Sequence, residues 1–138
     1  MAVIDGRTWL EHLSPPACWH LLSLSAVGRV GVLVDSAPEI YPVNFVVDDQ
    51  TIVFRTDPGS KLRGLDRSPS VRFEADGINL DEHTGWSVLV KGRAVEVTSP
   101  GDRRKAAGLP LQFWALGEKA HWIRIRPTEV TGHRIQRR

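Results

Sequence analysis

The sequence of 138 residues has a single cysteine, Cys18, and no apolar run long enough to span a bilayer. One cysteine excludes a disulfide within the chain and favours a reducing compartment. A membrane-spanning helix needs roughly 20 consecutive apolar residues, and the starting sequence MAVIDGRTWLEHLS lacks a signal-peptide pattern. We therefore expect a cytoplasmic protein with no membrane partner.

The motifs of several common enzyme classes are also missing. There is no GxGxxG and no P-loop, which excludes the Rossmann and P-loop nucleotide sites. No serine lies in a GxSxG context, and Cys18 has no evident partner base. The five histidines have no metal-ligand spacing, so no metal is expected. No catalytic residue can be named, which is typical of a protein whose cofactor carries the chemistry.

The net charge is only +2, and the distribution of charge is uneven. Residues 124–138 hold five Arg and one Glu, or +4, so the rest of the chain has 13 Lys and Arg against 15 Asp and Glu, or −2. A body without a basic surplus favours a small phosphorylated ligand over a long nucleic acid. The alternative is that the Arg-rich end acts as a nucleic-acid-binding arm.

Short β-branched and aromatic runs between turn residues predict a mainly β protein. The six predicted strands are 28–35, 40–48, 51–56, 70–76, 86–98 and 121–127. A helix is predicted from Ser14, a suitable N-cap, to about Ser25, with shorter helices at 61–66 and 101–109. Turns are predicted at 36–39 and 48–50, and a bulge or bend at Gly92. Sequential hairpins favour an antiparallel sheet that closes into a barrel, forming one domain over residues 1–138.

The stretch FRTDPGSKLRGL, residues 54–65, turns from a predicted strand through Asp-Pro-Gly into Ser60 and Lys61. A helix that begins there presents backbone N–H groups and the positive end of its dipole to an anion. Gly59 lets the main chain approach a ligand, while Ser60 and Lys61 add a hydroxyl and a charge. Two interpretations stay open: a phosphate site, or a helix that Ser60 merely caps while Lys61 is solvated.

The order of these segments resembles the pyridoxamine 5′-phosphate oxidase-like family of FMN-binding split β-barrels, especially its short actinobacterial-type members. The segments that carry the resemblance are VGRVGVLVDSAPEIYPVNFVVDDQTIVFRTDPGSKL, VRFEAD, GWSVLVKGRAVEV and HWIRIRPTEVTGHRI. Each is a weak signal alone, but their order and spacing over residues 6–135 are specific. The resemblance implies a six-stranded antiparallel split barrel of Greek-key type. It also implies a homodimer with FMN in two clefts at the subunit interface.

The resemblance also implies particular site residues. In such proteins the strand ending FRT and the following GSK segment hold the flavin's ribityl phosphate. Arg55 and Thr56 are therefore expected to contact the cofactor, and Ser60 and Lys61 to bind the phosphate. The second strand matches the part of the barrel that lies along the edge of the isoalloxazine ring. Its expected contact residues are Pro42, Val43, Asn44 and Phe45.

Further contacts are expected from later parts of the chain. Trp86 and Ser87 begin the long strand from which the family supplies flavin contacts, including contacts to the partner chain's cofactor. Trp114, in LQFWALGEKAHW, is a candidate to cover the flavin or seal the dimer, with core packing as the alternative. Arg124 shares a strand face with Arg126. It is expected either to reach the cofactor phosphate across the interface or to be solvated.

The resemblance implies an FMN-dependent oxidoreductase that moves electrons from a reduced nicotinamide to a small acceptor. It does not extend to the C-terminal segment with which true pyridoxamine-phosphate oxidases hold their substrate, so we do not expect that reaction. The alternative is a non-catalytic protein that binds or senses a flavin, a deazaflavin coenzyme or haem. The GSK turn suits the compact terminal phosphate of FMN better than the longer acidic tail of a deazaflavin.

Overall fold

A computed structural model of the chain describes residues 3–5, 10–112 and 120–135, with side chains described from residue 10 onward. These residues form eight strands and three helices. The strands are β1 (Val3–Asp5), β2 (Leu10–Leu13), β3 (Val27–Val34), β4 (Ala37–Val47), β5 (Ile52–Thr56), β6 (Ser70–Asn79), β7 (Thr84–Glu96) and β8 (His121–Ile135). The helices are α1 (Pro15–Ser23), α2 (Ser60–Arg67) and α3 (Pro100–Ala107).

Six antiparallel strands, β3 to β8, close into a barrel. β3 pairs with β4 and β6, β5 pairs with β4 and β8, and β7 pairs with β6 and β8. The spatial order β6-β3-β4-β5 is a Greek key, because three hairpin-connected strands are followed by a fourth that returns beside the first. The predicted six-stranded antiparallel barrel of Greek-key type is therefore confirmed.

The short strands β1 and β2 were not predicted. They form a hairpin, and β2 pairs with the far end of β8, where Leu10 lies opposite Ile135. The near end of β8 pairs with β5 instead, with Ile52 opposite Ile125. The 15-residue strand β8 therefore pairs with two strands, β2 and β5, along the same edge. Because β1 and β2 are only three and four residues long, this distant pairing rather than a local pattern defines them.

The turns correct one prediction and confirm two. The predicted turn at 36–39 is wrong, because the β3–β4 connection is formed by Asp35 and Ser36, with φ of 51° and 66°. Positive φ at both residues gives the two-residue turn whose twist matches that of a hairpin. The next hairpin turns at Asp49 and Gln50 as predicted, and a register shift at Gly92 confirms the bulge in β7.

The apolar residues form two clusters on opposite sides of the sheet. The larger fills the barrel, where Phe54 and Phe73 are fully buried. The smaller lies outside β5 and β8, where Val53 and Trp122 are covered by α3 through the buried Ala106. Side chains therefore alternate along β5 between the barrel interior and this outer layer.

Helix α1 closes one side of the barrel and buries Cys18. The Oγ of Ser14 accepts a hydrogen bond from Ala17 N (3.3 Å), so Ser14 caps the helix as predicted. Cys18 is fully buried, and its Sγ lies 2.6 Å from where a Cβ on Gly132 would stand. Gly132 is thus needed for the close approach of α1 to β8.

The Cys18 thiol is expected to be unreactive in the folded protein. Burial raises the pKa of this thiol above its ordinary value, which disfavours the nucleophilic thiolate. A thiol-reactive disulfide reagent at neutral pH should react many times more slowly with native protein than with protein unfolded in urea. Equal rates in the two states would contradict the burial.

No helix in the described parts of the chain is both long enough and apolar enough to cross a membrane.

Candidate functional site

A cavity lies at the corner between β5 and α2. Its volume is about 280 Å³, and the residues that form it come from the end of β5, the start of α2 and one position on β4. These residues are Tyr41, Thr56, Asp57, Pro58, Gly59, Ser60 and Lys61. We call this cavity the corner. The segment predicted to bind phosphate therefore forms a concave surface.

Helix α2 begins at the corner without a side-chain cap. Its N-cap is Gly59, with φ of 147°, which has no side chain to accept a hydrogen bond from the first turn. This backbone conformation is rarely adopted by residues other than glycine. The capping alternative for Ser60 is wrong, because Ser60 is the first helical residue. Its Oγ instead accepts a hydrogen bond from Arg63 Nη2 (3.2 Å). The start of α2 therefore offers backbone N–H donors and a positive dipole end to the corner.

Lys61 extends over aromatic rings at the corner instead of lying in open solvent. Its Nζ is 5.3 Å from the ring centroid of Tyr41 and 6.0 Å from that of Phe54, distances at which a cation is attracted to a ring face. These contacts hold the ammonium group beside the corner. Arg63 adds a second cation through its bond to Ser60. Asp57 contributes the one carboxylate among the residues that line the corner.

The candidate residues on β4 and β5 differ in which way they face. Val43 and Phe45 are buried in the core, so only their main chain can meet a ligand from outside. Pro42 is exposed on the outer face. Asn44 faces the same side but is half-buried, and its Nδ2 donates a hydrogen bond to the carbonyl oxygen of Ala26 (3.4 Å).

At the end of β5, Arg55 points outward and Thr56 inward. The guanidinium carbon of Arg55 is 4.7 Å from the centroid of the Trp122 ring, so the two side chains stack. Thr56 is 1% exposed and its Oγ1 donates to the Asp57 carbonyl oxygen (3.2 Å). Both residues are therefore fixed in position, and Thr56 lines the corner.

Trp86 and Ser87 lie away from the corner in this chain. They begin β7, three strands from β4 in the order β4-β3-β6-β7. Because the six strands close into a ring, β7 forms the wall of the barrel opposite β4. Both residues are half-buried and line a separate groove.

Arg124 also lies away from the corner. Its Nη1 donates to Asp48 Oδ2 (2.8 Å) and to Thr51 Oγ1 (2.6 Å), at the β4–β5 turn. The register puts Arg124 opposite Val53, three residues from Thr56. The guanidinium is therefore engaged at the opposite end of β5 from the corner. Trp114 falls outside the described residues.

Tyr41 is a corner residue that the sequence reasoning missed. Its ring lines the corner and faces the Lys61 ammonium group. The β4–β5 register, with Phe45 opposite Phe54, places Tyr41 near Pro58 when it is continued toward the turn. The hairpin of β4 and β5, which was predicted from the sequence, therefore already implied that Tyr41 lies beside the corner. Among the described residues, no group of three or more His, Cys, Asp or Glu is arranged to hold a metal ion.

Comparison with known proteins defines the class. The profile of the pyridoxamine 5′-phosphate oxidase family matches residues 14–134, most of the chain. The chain therefore belongs to the pyridoxamine 5′-phosphate oxidase family, and the family resemblance expected from the sequence is confirmed.

Individual relatives agree with this assignment. A solved structure of the FAD binding protein from Mycobacterium smegmatis is 38% identical, with a TM-score of 0.75, covering 90% of this chain and 97% of that one. A candidate pyridoxamine 5′-phosphate oxidase from Corynebacterium glutamicum is 31% identical, with a TM-score of 0.84 over 99% and 98% of the two chains. The uncharacterized protein Rv3129 of Mycobacterium tuberculosis is 38% identical over 91 residues, which cover 66% of this chain and 81% of that protein.

Proposed function

We propose that the protein binds a flavin nucleotide whose phosphate lies in the corner. The observation that carries this proposal is the uncapped start of α2 beside the Ser60 hydroxyl and the Lys61 ammonium group, all lining one cavity of about 280 Å³. Backbone N–H groups at a helix N-terminus together with a lysine are a recurrent way to bind a phosphate. The flavin-binding relative from M. smegmatis supports the same class of cofactor.

The flavin ring in this proposal lies along the outer side of β4 and β5. Pro42 and Asn44 face outward there, and Arg55 lies beside them on the next strand. Val43 and Phe45 would contribute through the main chain, since their side chains are buried. The Asn44 amide is suited to hydrogen-bond the polar edge of the ring.

FMN is the proposed cofactor, because the corner matches one terminal phosphate. FAD is the second candidate, since the relative from M. smegmatis is named for binding FAD. Its diphosphate would continue from the corner toward Arg63, whose guanidinium bonds Ser60 at the helix start. A deazaflavin coenzyme or haem in this fold is the remaining alternative.

We further propose that the protein is a homodimer. Trp86 and Ser87 lie three strands from Asn44, on the opposite wall of the barrel. A partner chain would bring these two residues next to the flavin held by the first chain. At this interface Trp114 would cover the flavin or seal the dimer. Arg124 would reach the cofactor phosphate across the interface.

The proposed activity is FMN-dependent oxidoreduction in the cytoplasm, from a reduced nicotinamide to a small acceptor. A bound flavin supplies the redox chemistry, and this chain binds, orients and shields it. The second candidate function is a non-catalytic flavin carrier or sensor. It requires only the corner that holds the cofactor phosphate and no site for a reaction partner.

An absorbance spectrum of the purified protein, with mass identification of the molecule released on unfolding, tests this proposal. We expect a yellow protein that releases FMN and whose visible absorbance bleaches when a reduced nicotinamide nucleotide is added. Release of FAD, a deazaflavin or haem would identify that molecule, instead of FMN, as the cofactor. Bound flavin that no donor reduces would favour the carrier. A colourless protein that takes up no flavin would overturn the proposal.

A further inference from the structure

A group of cationic side chains lies on the outer face of the sheet where β6, β7 and β8 run side by side. Its members are Arg72, Lys91, Arg93 and Arg126. Each has a buried neighbour in its own strand, so its side chain faces away from the barrel interior. We call these four residues the basic patch.

The strand registers bring like charges together in the basic patch. Arg72 lies opposite Lys91, and Arg93 lies opposite Arg126. Directly opposed residues have Cβ atoms about 4.5–5.5 Å apart, and diagonal neighbours such as Arg72 and Arg93 are about 7–8 Å apart. Like charges directly opposite each other destabilise a sheet. The basic patch therefore holds four cations close together at a cost to stability.

One carboxylate offsets part of this charge. Lys91 Nζ is 3.3 Å from Oε2 of Glu129, which lies opposite it on β8. Among the residues that the structure describes, no carboxylate forms an ion pair with Arg72, Arg93 or Arg126. Three guanidinium groups are thus left without a counter-charge. Since guanidinium groups bind phosphate and carboxylate oxygens in pairs, the arrangement is suited to an external oxyanion.

Carboxylates border the basic patch on two sides and limit the size of its ligand. On β6, the next two outward residues after Arg72 are Glu74 and Asp76. On the side of β5, Asp48 at the β4–β5 turn lines one cavity together with Arg126. A long polyanion that crossed the basic patch would meet these negative charges, whereas a short anion would not. The surroundings therefore favour a small ligand over a nucleic acid.

We propose that the basic patch binds a small anion that carries at least two negative charges on phosphate or carboxylate oxygens. Arg93 and Arg126 hold its oxygens from adjacent strands, and Arg72 adds a contact from the diagonal position. The bound anion offsets the repulsion between the opposed arginines. No residue belongs to both the basic patch and the corner, so this inference goes beyond the proposed function and does not depend on it.

Calorimetric titration at constant ionic strength, with one equivalent of FMN per chain already added, tests the inference. The FMN is present because the corner is itself a proposed phosphate site. The probes are pyrophosphate and citrate, which each carry several negative charges, and acetate, which carries one. We expect pyrophosphate, citrate or both to bind, and acetate not to bind measurably. Tighter binding of pyrophosphate would identify a phosphate ligand, and tighter binding of citrate a carboxylate ligand.

Replacing both opposed arginines tests the residues. Because an exposed ion pair changes an equilibrium by up to about fivefold, Arg93→Gln with Arg126→Gln should weaken the multivalent probe about tenfold. Without any probe, this variant should unfold at a temperature no lower than the unmodified protein, since the repulsion is gone. Arg103→Gln with Arg104→Gln is the matched control, because it removes the same two charges from exposed positions of α3. The control should leave the affinity unchanged.

Three results would overturn the inference. One is that neither pyrophosphate nor citrate binds more tightly than acetate. Another is an equal loss of affinity in the two arginine double variants, which would show an effect of net charge alone. The third is binding that is lost in Ser60→Ala with Lys61→Ala but kept in Arg93→Gln with Arg126→Gln, which would place the anion in the corner. Failure of FMN to bind, with probe binding as expected, would overturn the proposed function and leave this inference supported.

Discussion

Replacing both Ser60 and Lys61 with alanine is expected to raise the dissociation constant for FMN at least tenfold. Hydrogen bonds to a charged group are each worth about 1.5–3 kcal/mol, so losing one would account for this change and losing two would exceed it. Ser60 is exposed at the first position of α2 and Lys61 extends over the Tyr41 ring, so neither side chain fills the core. The measurement is an equilibrium titration of flavin-free protein with FMN.

The opposite end of the same helix provides a matched control. Arg67→Ala with Ser68→Ala also removes one hydroxyl and one positive charge, and the Arg67 side chain is 76% exposed. This control should leave the FMN affinity unchanged. Equal losses in the two double variants would mean that the corner does not bind the phosphate. Unfolding curves of both variants check that each still folds.

Phe73→Ala is expected to lower the free energy of unfolding by about 3–5 kcal/mol, the usual cost of removing a buried aromatic ring. Phe73 is fully buried in the barrel, and its ring packs edge to face against Phe45 with centroids 4.8 Å apart. Gly28 lies directly against the same ring, so β3 and β6 share this contact.

Urea unfolding measures this loss. Phe73→Leu, which keeps much of the buried volume, should cost less. The exposed Ile78→Ala on the same strand should cost little, because its side chain is 72% exposed. A loss below about 1 kcal/mol for Phe73→Ala would contradict the central position of this ring.

The sequence was sufficient to predict the closed part of the barrel. The β-branched runs that became β3 to β8 fill the interior on alternate residues, so local pattern and tertiary burial agree. β1 and β2 could not be predicted this way, because each is defined by a partner far along the chain. The misplaced turn has a similar cause. Pro38 and Glu39 look like turn residues, but they extend β4 opposite Leu33 and Val32.

The candidate site was predictable where its residues are consecutive. The segment from Gly59 to Lys61 supplies a glycine conformation, a hydroxyl and a cation, and the structure brings all three to one cavity. The row of Asp76, Ser87 and His133 was not predictable, because Asp76 and His133 lie 57 positions apart and meet only through Ser87 on the strand between them. Such a row requires exact strand registers, which composition and periodicity do not supply.

The most direct test of the corner as a phosphate site compares FMN with riboflavin, which has the same ring system but no phosphate. Flavin-free protein should bind FMN at least about tenfold more tightly than riboflavin, because only FMN reaches Ser60, Lys61 and the start of α2. The difference should shrink in the Ser60→Ala, Lys61→Ala variant, which keeps only the backbone N–H groups at the start of α2. Equal affinities of the unmodified protein for the two flavins would contradict the account.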